Sequence, residues 1–294
     1  MKNKFIIFGA GPIGCEYYRL LNDIDLKPLL LTRSFETKNK LAREHEIETF
    51  NNLDKSIDNS TIIIALPTKV YPDVLKNFII KNSNIFIEKP AIYDLKDFKN
   101  LNFLQKNNNF IGVCLNRRFY KSIEYIKKIN KKSKPLRILI NYHERLNFLP
   151  AKYKLFDKRN WVKQNGIHLF DYVQLLFGEL KIKKIDKEIS NGKFISSIGK
   201  FGDTPYQLNA SFDSFSSFKL EIQYRDSSIH LDPIEKLIHK TPKGNFEVLE
   251  DNINKPGFHS MVNDIAYERL SKFENLANIL KLQKKLQRID NARL

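Results

Sequence analysis

Short apolar runs alternate with amphipathic helical patterns from residue 4 to residue 113. The runs of strand length are Phe5–Phe8, Leu29–Thr32, Thr61–Leu66, Ile85–Ile87 and Phe110–Val113. Between them, Val70–Lys81 and Leu95–Lys106 have the length and periodicity of helices. Because such alternation is typical of a parallel sheet covered by helices on both faces, we predict a doubly wound α/β domain over residues 1–115.

The pattern changes after Asn116, where strand-like runs begin to follow one another directly. A helix over Lys121–Ile129, a strand over Arg137–Tyr142 and a helix over Ile167–Phe177 lead into this part. The runs that follow are Lys181–Ile189, Lys193–Phe201, Tyr206–Phe212, Phe218–Tyr224 and Ser227–Leu231. Consecutive strands without helices between them predict an antiparallel or mixed sheet in a second α/β domain, over residues 116–294.

The C-terminal tail has a helical pattern from His259 to Ile289. Ser271 and Glu274 have the spacing of a capping box, which predicts that a helix restarts there. The pattern leaves open whether these helices pack on the first domain or on the second.

The first predicted strand leads directly into Gly9, Gly11 and Gly14, and an amphipathic helix follows at once. In the dinucleotide-binding fingerprint, the first glycine allows a tight turn, the second lets the backbone approach a pyrophosphate, and the third allows close helix–strand packing. Pro12 suits the first helical turn, and Ile13 begins the apolar stripe of the helix. We therefore predict a Rossmann domain that binds NADP or NAD.

The chain is strongly basic, with 50 Lys and Arg against 33 Asp and Glu and a formal net charge of +17. Basic patches bind nucleic acid through its phosphates, but these charges are dispersed except in short clusters such as 127–134 and 281–288. The dispersion favours solvated helix faces over nucleic-acid binding, and it is compatible with an anionic small substrate.

Composition also bears on the cellular setting. No apolar stretch approaches the roughly 18 residues of a membrane span, and the N-terminus lacks the pattern of a signal peptide. Cys15 and Cys114 are far apart in sequence, and His45, His230 and His239 have no ligand spacing. We therefore expect a cytoplasmic protein without a disulfide framework, a membrane partner or a metal site.

The end of the second strand carries the residues that normally select the dinucleotide, because an acidic residue there binds the ribose 2′-hydroxyl whereas arginine accommodates a 2′-phosphate. This chain has Thr32, Arg33 and Ser34 at that point, with Arg33 19 residues after Gly14. This favours NADP over NAD, while an Arg33 stacked on the adenine would be compatible with either.

Glu88, Lys89 and Pro90 directly follow a predicted strand, so they should lie at the carboxyl ends of the parallel strands, where open α/β sheets bind ligands. A lysine there can donate to a hydroxyl or carbonyl oxygen, and Pro90 can follow a cis peptide bond. Taken alone, the tripeptide is more typical of an ordinary loop with a solvated lysine than of a ligand site.

Motifs along the chain resemble, in order and spacing, those of the glucose-fructose oxidoreductase, inositol dehydrogenase and MocA (Gfo/Idh/MocA) family. They are the glycine loop Gly9–Gly14, Leu66-Pro67-Thr68, Glu88-Lys89-Pro90, Val113–Phe119 and Asn165–Asp171. The resemblance covers nearly the whole chain, with its distinctive motifs between residues 5 and 180. It implies a Rossmann domain joined to an α/β domain whose open, mostly antiparallel sheet often mediates oligomerisation, and hence a homo-oligomer.

The resemblance also implies roles for individual residues. Lys89 corresponds to the catalytic or substrate-positioning lysine and His168 to the acid/base histidine, with Gln164 as the third member of the catalytic set. The residues expected to bind the cofactor are Gly9, Gly11, Pro12, Ile13, Gly14, Arg33, Ser34, Leu66, Pro67, Thr68, Glu88, Lys89, Asn116 and Arg117.

Two departures from the family pattern concern the substrate. The family usually has an aspartate four residues before the histidine, whereas Gln164 can form hydrogen bonds but holds no charge. Tyr71 stands where the family commonly has histidine. These changes leave cofactor binding intact and leave the substrate and the direction of the reaction open.

Several polar residues near the domain junction have structural interpretations. Arg117 and Arg118 are adjacent, so at most one is expected to contact substrate or cofactor, and the other forms a surface or interdomain ion pair. Asp171, one helical turn after His168, is interpreted as a structural or orienting group. The segment His143-Glu144-Arg145 is expected at the surface rather than in a cleft.

The leading hypothesis is an NAD(P)-dependent oxidoreductase acting on a sugar, nucleotide sugar or polyol. The basic composition favours an anionic sugar derivative, such as one used in surface-glycan synthesis. Two alternatives remain open. One is a reductase of a non-sugar carbonyl or unsaturated compound, similar to biliverdin reductase, and the other is a non-catalytic dinucleotide sensor or polyanion-binding protein.

Overall fold

The chain folds as two compact units, each assembled from two stretches of sequence. In the computed structural model, the first unit comprises Met1–Leu115 with Phe258–Leu280, and the second comprises Asn116–Gly257 with Lys281–Leu294. The structure describes residues 4–41, 46–92, 104–105, 107–146, 160–186, 194–212, 214, 218–250 and 255–292. The tail is thus divided, because the segment that begins at Phe258 belongs to the first unit and the last residues belong to the second.

Both units combine strands with helices. The strands are β1 (Lys4–Phe8), β2 (Leu29–Thr32), β3 (Ile47–Thr49), β4 (Ser56–Asp58), β5 (Ser60–Ile64), β6 (Ile79–Lys81), β7 (Asn84–Glu88), β8 (Phe110–Cys114), β9 (Arg137–His143), β10 (Leu180–Asp186), β11 (Phe194–Phe201), β12 (Thr204–Ser211), β13 (Lys219–Gln223), β14 (Ser228–Leu231), β15 (Lys236–Thr241), β16 (Gly244–Leu249) and β17 (Glu274–Asn275). The α-helices are α1 (Pro12–Asn22), α2 (Phe35–Leu41), α3 (Tyr71–Leu75), α4 (Lys121–Lys132), α5 (Ile167–Phe177), α6 (Phe258–Ala266) and α7 (Leu276–Ala292).

A seven-stranded sheet forms the core of the first unit, in the order β17-β8-β7-β5-β1-β2-β3. Its pairs are parallel except that of β17 with β8. The central strands β1, β5 and β7 are almost continuously apolar, as expected for strands covered on both faces. The strand order reverses between β1 and β5, which is the point where such sheets bind ligands at their carboxyl ends. The predicted doubly wound parallel sheet is confirmed.

An eight-stranded sheet forms the core of the second unit, in the order β10-β11-β12-β9-β13-β14-β15-β16. Only the pair of β12 with β9 is parallel, so the predicted mostly antiparallel sheet is confirmed. One face is apolar and buried, with Ile138, Ile140 and Tyr142 of β9 on it. The hairpin of β15 and β16 extends the sheet beyond the last strand that the sequence pattern had predicted.

The buried carboxylate of Glu250 provides the N-terminal cap of α4. Its two oxygens accept the backbone N–H groups of Lys121 and Ser122 at 2.8 and 2.9 Å. The residue before the helix, Tyr120, makes no side-chain cap hydrogen bond. A residue more than a hundred positions later in the sequence therefore satisfies amide groups that have no acceptor within the helix.

The predicted helix over Val70–Lys81 is wrong in its second half. Helix α3 ends at Leu75, and Ile79–Lys81 forms β6, which pairs with β4 in a separate two-stranded sheet. The side chain of Ile80 is buried between two exposed neighbours, which is the alternation of a strand. Most of the other predicted helix, Leu95–Lys106, lies outside the described residues.

The predicted capping box at Ser271 and Glu274 is also wrong. Glu274 lies in β17, where it pairs with Val113 of β8. Helix α7 begins at Leu276, and the side chain of Asn275 accepts the backbone N–H of Asn278 at 2.9 Å. Pairing with the sheet therefore displaced the helix start, and an asparagine became the N-terminal cap.

Candidate active site

The glycine loop between β1 and α1 combines two tightly packed glycines with one that faces open space. A Cβ at Gly9, whose φ is +116°, would lie 2.6 Å from the carbonyl oxygen of Ala65. A Cβ at Gly14 would lie 1.7 Å from the carbonyl oxygen of Gly9. No described atom lies within 4 Å of the same point at Gly11. Close backbone packing thus requires glycine at two positions, whereas Gly11 keeps the backbone accessible.

The N-terminus of α1 has the features of a diphosphate site. Gly11 has extended backbone before the helix, Pro12 opens it, and no side chain makes a cap hydrogen bond there among the described residues. The first N–H groups of a helix have no acceptor within it, and the helix dipole favours negative charge at this end. The residues that are present therefore fit the diphosphate of a dinucleotide.

Two hydroxyl groups fix the loop that contains Lys89. Thr68, in the segment that follows β5, donates to the carbonyl oxygen of Pro90 at 2.9 Å, and the buried Tyr71 donates to the carbonyl oxygen of Ala91. The Lys89–Pro90 peptide bond is cis, and the Lys89 side chain is half-buried. The family histidine position is thus occupied by a tyrosine that holds the backbone beside Lys89.

A buried tyrosine holds the carboxylate of Glu88. The hydroxyl of Tyr17, on α1, donates to Glu88 Oε1 at 2.5 Å, and the backbone N–H of Lys89 donates to Glu88 Oε2 at 3.2 Å. Burial raises the pKa of Tyr17 well above its ordinary value, and the neighbouring Cys114 and Glu88 raise it further. Tyr17 therefore stays protonated and connects the glycine-loop helix to the lysine loop.

The end of β2 presents Arg33 and Ser34 to solvent, next to the point where a dinucleotide ribose would lie in a Rossmann domain. The Ser34 hydroxyl accepts the backbone N–H of Thr37 at 3.2 Å, and the backbone N–H of Ser34 donates to Thr32 Oγ1 at 3.3 Å. As an acceptor in this turn, the Ser34 hydroxyl still has a proton to donate. Arg33 therefore offers a cation and Ser34 offers a hydrogen-bond donor, and neither residue has a carboxylate.

In the second unit, His168 lies in the first turn of α5 and is half-buried. A π-helix over Val162–Gly166 runs directly into α5 and contains Gln164. Gln164 is 8% exposed, and its Nε2 atom has no hydrogen-bond partner among the described residues. Because a buried donor without an acceptor is costly, Gln164 is suited to donate to an oxygen of a ligand. Short π-helical segments are frequent at functional sites.

The carboxylate of Asp290 anchors the start of this π-helix. Asp290, on α7, is fully buried and accepts the backbone N–H groups of Val162 and Lys163 at 3.0 and 2.9 Å. The Lys163 ammonium donates to Gln287 on the same helix at 2.5 Å. The position of Gln164 therefore depends on a helix that comes more than a hundred residues later in the chain.

A buried ion pair fixes α5 from its other side. Arg118 donates through Nε and Nη2 to the two carboxylate oxygens of Asp171, each at 2.7 Å, and both side chains are almost fully buried. This bidentate geometry strengthens the pair and orients the helix that carries His168. The structural interpretation of Asp171 therefore fits. A surface or interdomain ion pair, expected for one of the two adjacent arginines, is wrong for Arg118, because Arg118 and Asp171 are buried within one unit.

The structure gives Asn116 and Arg117 partners within the second unit. The Asn116 amide donates to the carbonyl oxygen of Pro256 at 2.8 Å. The Arg117 guanidinium lies 5.1 Å from the centre of the Phe218 ring and 3.7 Å from Glu235. Their cofactor-binding role stays a prediction. Glu144 accepts the side-chain amide of Asn165 at 2.8 Å, so it supports the segment next to Gln164.

The residues that sequence reasoning missed are those that position the others. Tyr17 lies on the buried face of α1, and neither Tyr17 nor Asp290 is among the site residues that the sequence predicted. Among the described residues, no group of three or more His, Cys, Asp or Glu side chains is arranged to hold a metal ion. No helix in the described ranges has both the length and the apolar character needed to cross a membrane.

Solved structures share this fold over nearly the whole chain. A super-repressor mutant of Gal80p from Saccharomyces cerevisiae has 13% identity and a TM-score of 0.78, covering 99% of this chain and 96% of that one. A Gfo/Idh/MocA family oxidoreductase from Vibrio cholerae has 17% identity and a TM-score of 0.68, covering 99% and 95%. A levoglucosan dehydrogenase in complex with NADH and L-sorbose has 12% identity and a TM-score of 0.71, covering 99% and 96%.

These matches confirm, at the level of fold, the resemblance that the sequence motifs indicated. No protein-family model matches the chain. A curated protein, glucosamine 6-phosphate N-acetyltransferase 1 from Dictyostelium discoideum, is 27% identical over 137 residues, which are 47% of this chain and 77% of that protein. Because this match covers less than half of the chain, it does not account for the two-unit fold.

Replacing Asp290 with Asn should loosen the start of the π-helix, because an amide NH₂ group cannot accept a backbone N–H. We expect a loss of about 1–3 kcal/mol in the free energy of unfolding. Trp161, the only tryptophan and directly before Val162, reports the change through its fluorescence during urea denaturation. Asp226→Asn, at an exposed turn, is the matched control. Equal losses in the two variants would contradict the anchoring role of Asp290.

Proposed function

We propose that this chain, which has the fold of the Gfo/Idh/MocA oxidoreductases, transfers hydride between a nicotinamide dinucleotide and a sugar, nucleotide sugar or polyol. The observation that carries the proposal is the open backbone at Gly11, between two glycines that have no room for a side chain. It lies at the N-terminus of α1 and at the reversal point of the parallel sheet, where dinucleotides bind in this architecture. NADH in the levoglucosan dehydrogenase structure supports the nicotinamide cofactor.

Lys89 is proposed to hold the reacting oxygen of the substrate. Its backbone is fixed through Glu88, Thr68 and Tyr71, so the ammonium extends from a rigid loop at the carboxyl edge of the sheet. An ammonium that donates to a hydroxyl or carbonyl oxygen stabilises the negative charge that develops there. A nicotinamide dinucleotide held by the glycine loop and the N-terminus of α1 would provide the hydride chemistry of this step.

His168 is proposed to move the proton. In oxidation its imidazole accepts the proton of the substrate hydroxyl, and in reduction the imidazolium returns it to the same oxygen. Gln164 donates to a second substrate oxygen through its buried Nε2 atom. Since Gln164 carries no charge, it orients the substrate without stabilising an imidazolium.

We infer NADP rather than NAD as the preferred cofactor. Arg33 and Ser34 at the end of β2 offer a guanidinium and a hydroxyl donor to a 2′-phosphate. The basic composition favours an anionic substrate such as a phosphorylated or nucleotide-activated sugar, and L-sorbose in the levoglucosan dehydrogenase structure supports a sugar-like one.

A dinucleotide-binding regulator without catalytic activity is the second candidate. The Gal80p structure, described as a super-repressor mutant, has this fold at a TM-score of 0.78. The uncharged Gln164 at the family aspartate position also favours it over an alcohol dehydrogenase. If the chain is such a regulator, its dinucleotide binding should still depend on Gly11. No catalytic turnover should be detected, so Lys89 would have no catalytic role.

Replacing Gly11 with Ala should weaken NADPH binding at least about tenfold while leaving the melting temperature nearly unchanged, because the added methyl group meets the ligand and no protein atom. Gly14→Ala is the contrasting variant, since its methyl group collides with the Gly9 backbone and lowers the melting temperature. Titration of NADPH fluorescence and thermal denaturation measure both effects. Unchanged NADPH affinity in Gly11→Ala would refute the binding site.

Replacing Arg33 with Asp should reverse the cofactor preference. The carboxylate repels a 2′-phosphate and accepts a ribose hydroxyl, so the ratio of NADPH to NADH affinity should fall at least about tenfold. Arg19→Asp, on the exposed side of α1, controls for the change in net charge. A ratio that stays constant in Arg33→Asp would show that Arg33 does not contact the ribose.

Replacing Lys89 with Met, or His168 with Gln, should reduce kcat by about 10²–10⁴-fold with little change in NADPH affinity. The double variant should lose scarcely more than either single variant, because the two groups act in one step. A panel of sugars, nucleotide sugars and polyols with NADP, and of the corresponding ketones with NADPH, provides the assay. Full turnover in Lys89→Met rules out its assigned role, and a panel without any turnover favours the regulator.

A further inference from the structure

The solvent-exposed face of the eight-stranded sheet carries an open cavity of about 480 Å³. This volume is within the usual range for small-molecule sites. Its lining includes the four cationic side chains Arg137, Lys181, Lys183 and Lys200, and no carboxylate is among the residues that line it. The cavity lies entirely within the second unit, and the proposed reaction uses none of its residues.

Strand register places three of these cations in one row across the sheet. Lys181 of β10 pairs with Lys200 of β11, which pairs with Pro205 of β12. Tyr206 pairs with Ile138 of β9, so Arg137 stands beside Pro205, one residue earlier on each parallel strand. The side chains of Lys181, Lys200 and Arg137 are exposed, and because they stand in one row of paired positions they share the solvent face. At about 4.8 Å between strands, the row is about 14 Å long.

Within the described residues, no carboxylate forms an ion pair with the cations of this row. Lys181 and Lys200 are directly opposite on antiparallel strands, where like charges destabilise a sheet. The Arg137 guanidinium donates to a neutral partner, Gln223 Oε1, at 2.6 Å. Glu179 and Asp186, at the two ends of β10, bind Lys285 and Lys184 instead.

In the half of the same sheet that contains β13 to β16, by contrast, lysines form ion pairs with carboxylates. There, Lys219 pairs with Asp232 at 2.7 Å and Lys236 pairs with Glu247 at 2.5 Å. The absence of comparable pairs for Lys181 and Lys200 within the described residues is therefore a local property of β10 and β11. The general excess of lysine in the chain does not explain it.

An apolar surface borders the cationic row. Ile198, which is 43% exposed, lies two pairs further along β11 than Lys200 and is opposite Gln207 of β12. Ile182 and Pro205 contribute to the same lining. A ligand that fits this arrangement has a flat or apolar part for the isoleucines and a compact group of negative charges for the row.

We propose that this cavity binds a nucleoside di- or triphosphate, with the phosphates along Lys181, Lys200 and Arg137 and the base against Ile198. The proposal goes beyond the proposed oxidoreductase function and does not depend on it. Phosphates accept charge-assisted hydrogen bonds from lysine and arginine, and they would relieve the repulsion between the paired lysines. The limited size of the cavity favours a nucleotide over a nucleic-acid strand.

Isothermal titration of the full chain with uridine 5′-diphosphate and, separately, with inorganic tripolyphosphate tests the site. We expect both probes to bind, and Lys181→Gln/Lys200→Gln to weaken them at least about tenfold, because two charge-assisted contacts are lost. Lys131→Gln/Lys132→Gln, on the exposed end of α4, removes the same charge and should change affinity less than about twofold. The melting temperature of Lys181→Gln/Lys200→Gln should stay constant or rise, because a like-charge pair is removed.

Binding to the Gly11→Ala variant separates this site from the glycine loop. Full affinity in Gly11→Ala supports the cavity, and loss there would assign the nucleotide to the Rossmann unit and overturn the proposal. It is also overturned by absence of binding or by equal weakening in the two lysine double variants. If a single-stranded 20-nucleotide DNA binds and uridine 5′-diphosphate does not, the surface is assigned to nucleic acid. If Lys181→Gln/Lys200→Gln has a lower sedimentation mass than the unchanged chain, the surface is assigned to a second copy.

Discussion

The close approach of the backbone at Gly9 and Gly14 is the constraint on which the first unit depends. A Cβ atom at Gly14 would lie only 1.7 Å from the Gly9 carbonyl oxygen, so only glycine lets α1 start this near the carboxyl end of β1. That start brings the amide groups of the helix to the reversal point of the sheet. It also places Tyr17, one and a half turns later, within 2.5 Å of Glu88 on β7. The hydrogen bond between Tyr17 and Glu88 thus connects the helix of the glycine loop to the loop that contains Lys89.

Buried carboxylates play the corresponding part in the second unit. Asp290 holds the π-helix that contains Gln164, Asp171 holds α5 through Arg118, and Glu250 caps α4. Each carboxylate is satisfied by two donors, which offsets the cost of burying its charge. In a chain with a net charge of +17, these three carboxylates are buried and used for internal anchoring. Lys181 of β10 and Lys200 of β11, by contrast, lie opposite each other, and both are exposed.

The sequence was most informative where local geometry alone dictates the residue. Gly9 and Gly14 are required by backbone contacts within a short loop, so spacing identified them. Sequence-based prediction failed where pairing between distant strands competes with the local sequence pattern. Ile79–Lys81 has helical neighbours but joins β4, and Glu274 has the spacing of a capping box but joins β8. In both cases interstrand hydrogen bonds override local propensity, and residues distant in sequence supply them.

The amino-acid sequence by itself determined the two sheets, the glycine loop and the identity of the candidate side chains Lys89, His168 and Gln164. Periodicity and fixed spacing encode the sheets and the glycine loop directly, whereas Lys89, His168 and Gln164 are candidates because of the family resemblance of the motifs that contain them. Tertiary structure alone decided that Tyr17 holds Glu88, that Asp290 holds the π-helix, and that Lys181, Lys200 and Arg137 form one row. Each of these depends on strand register or on a contact between residues far apart in the chain, and a linear pattern contains no record of which distant partner a side chain meets.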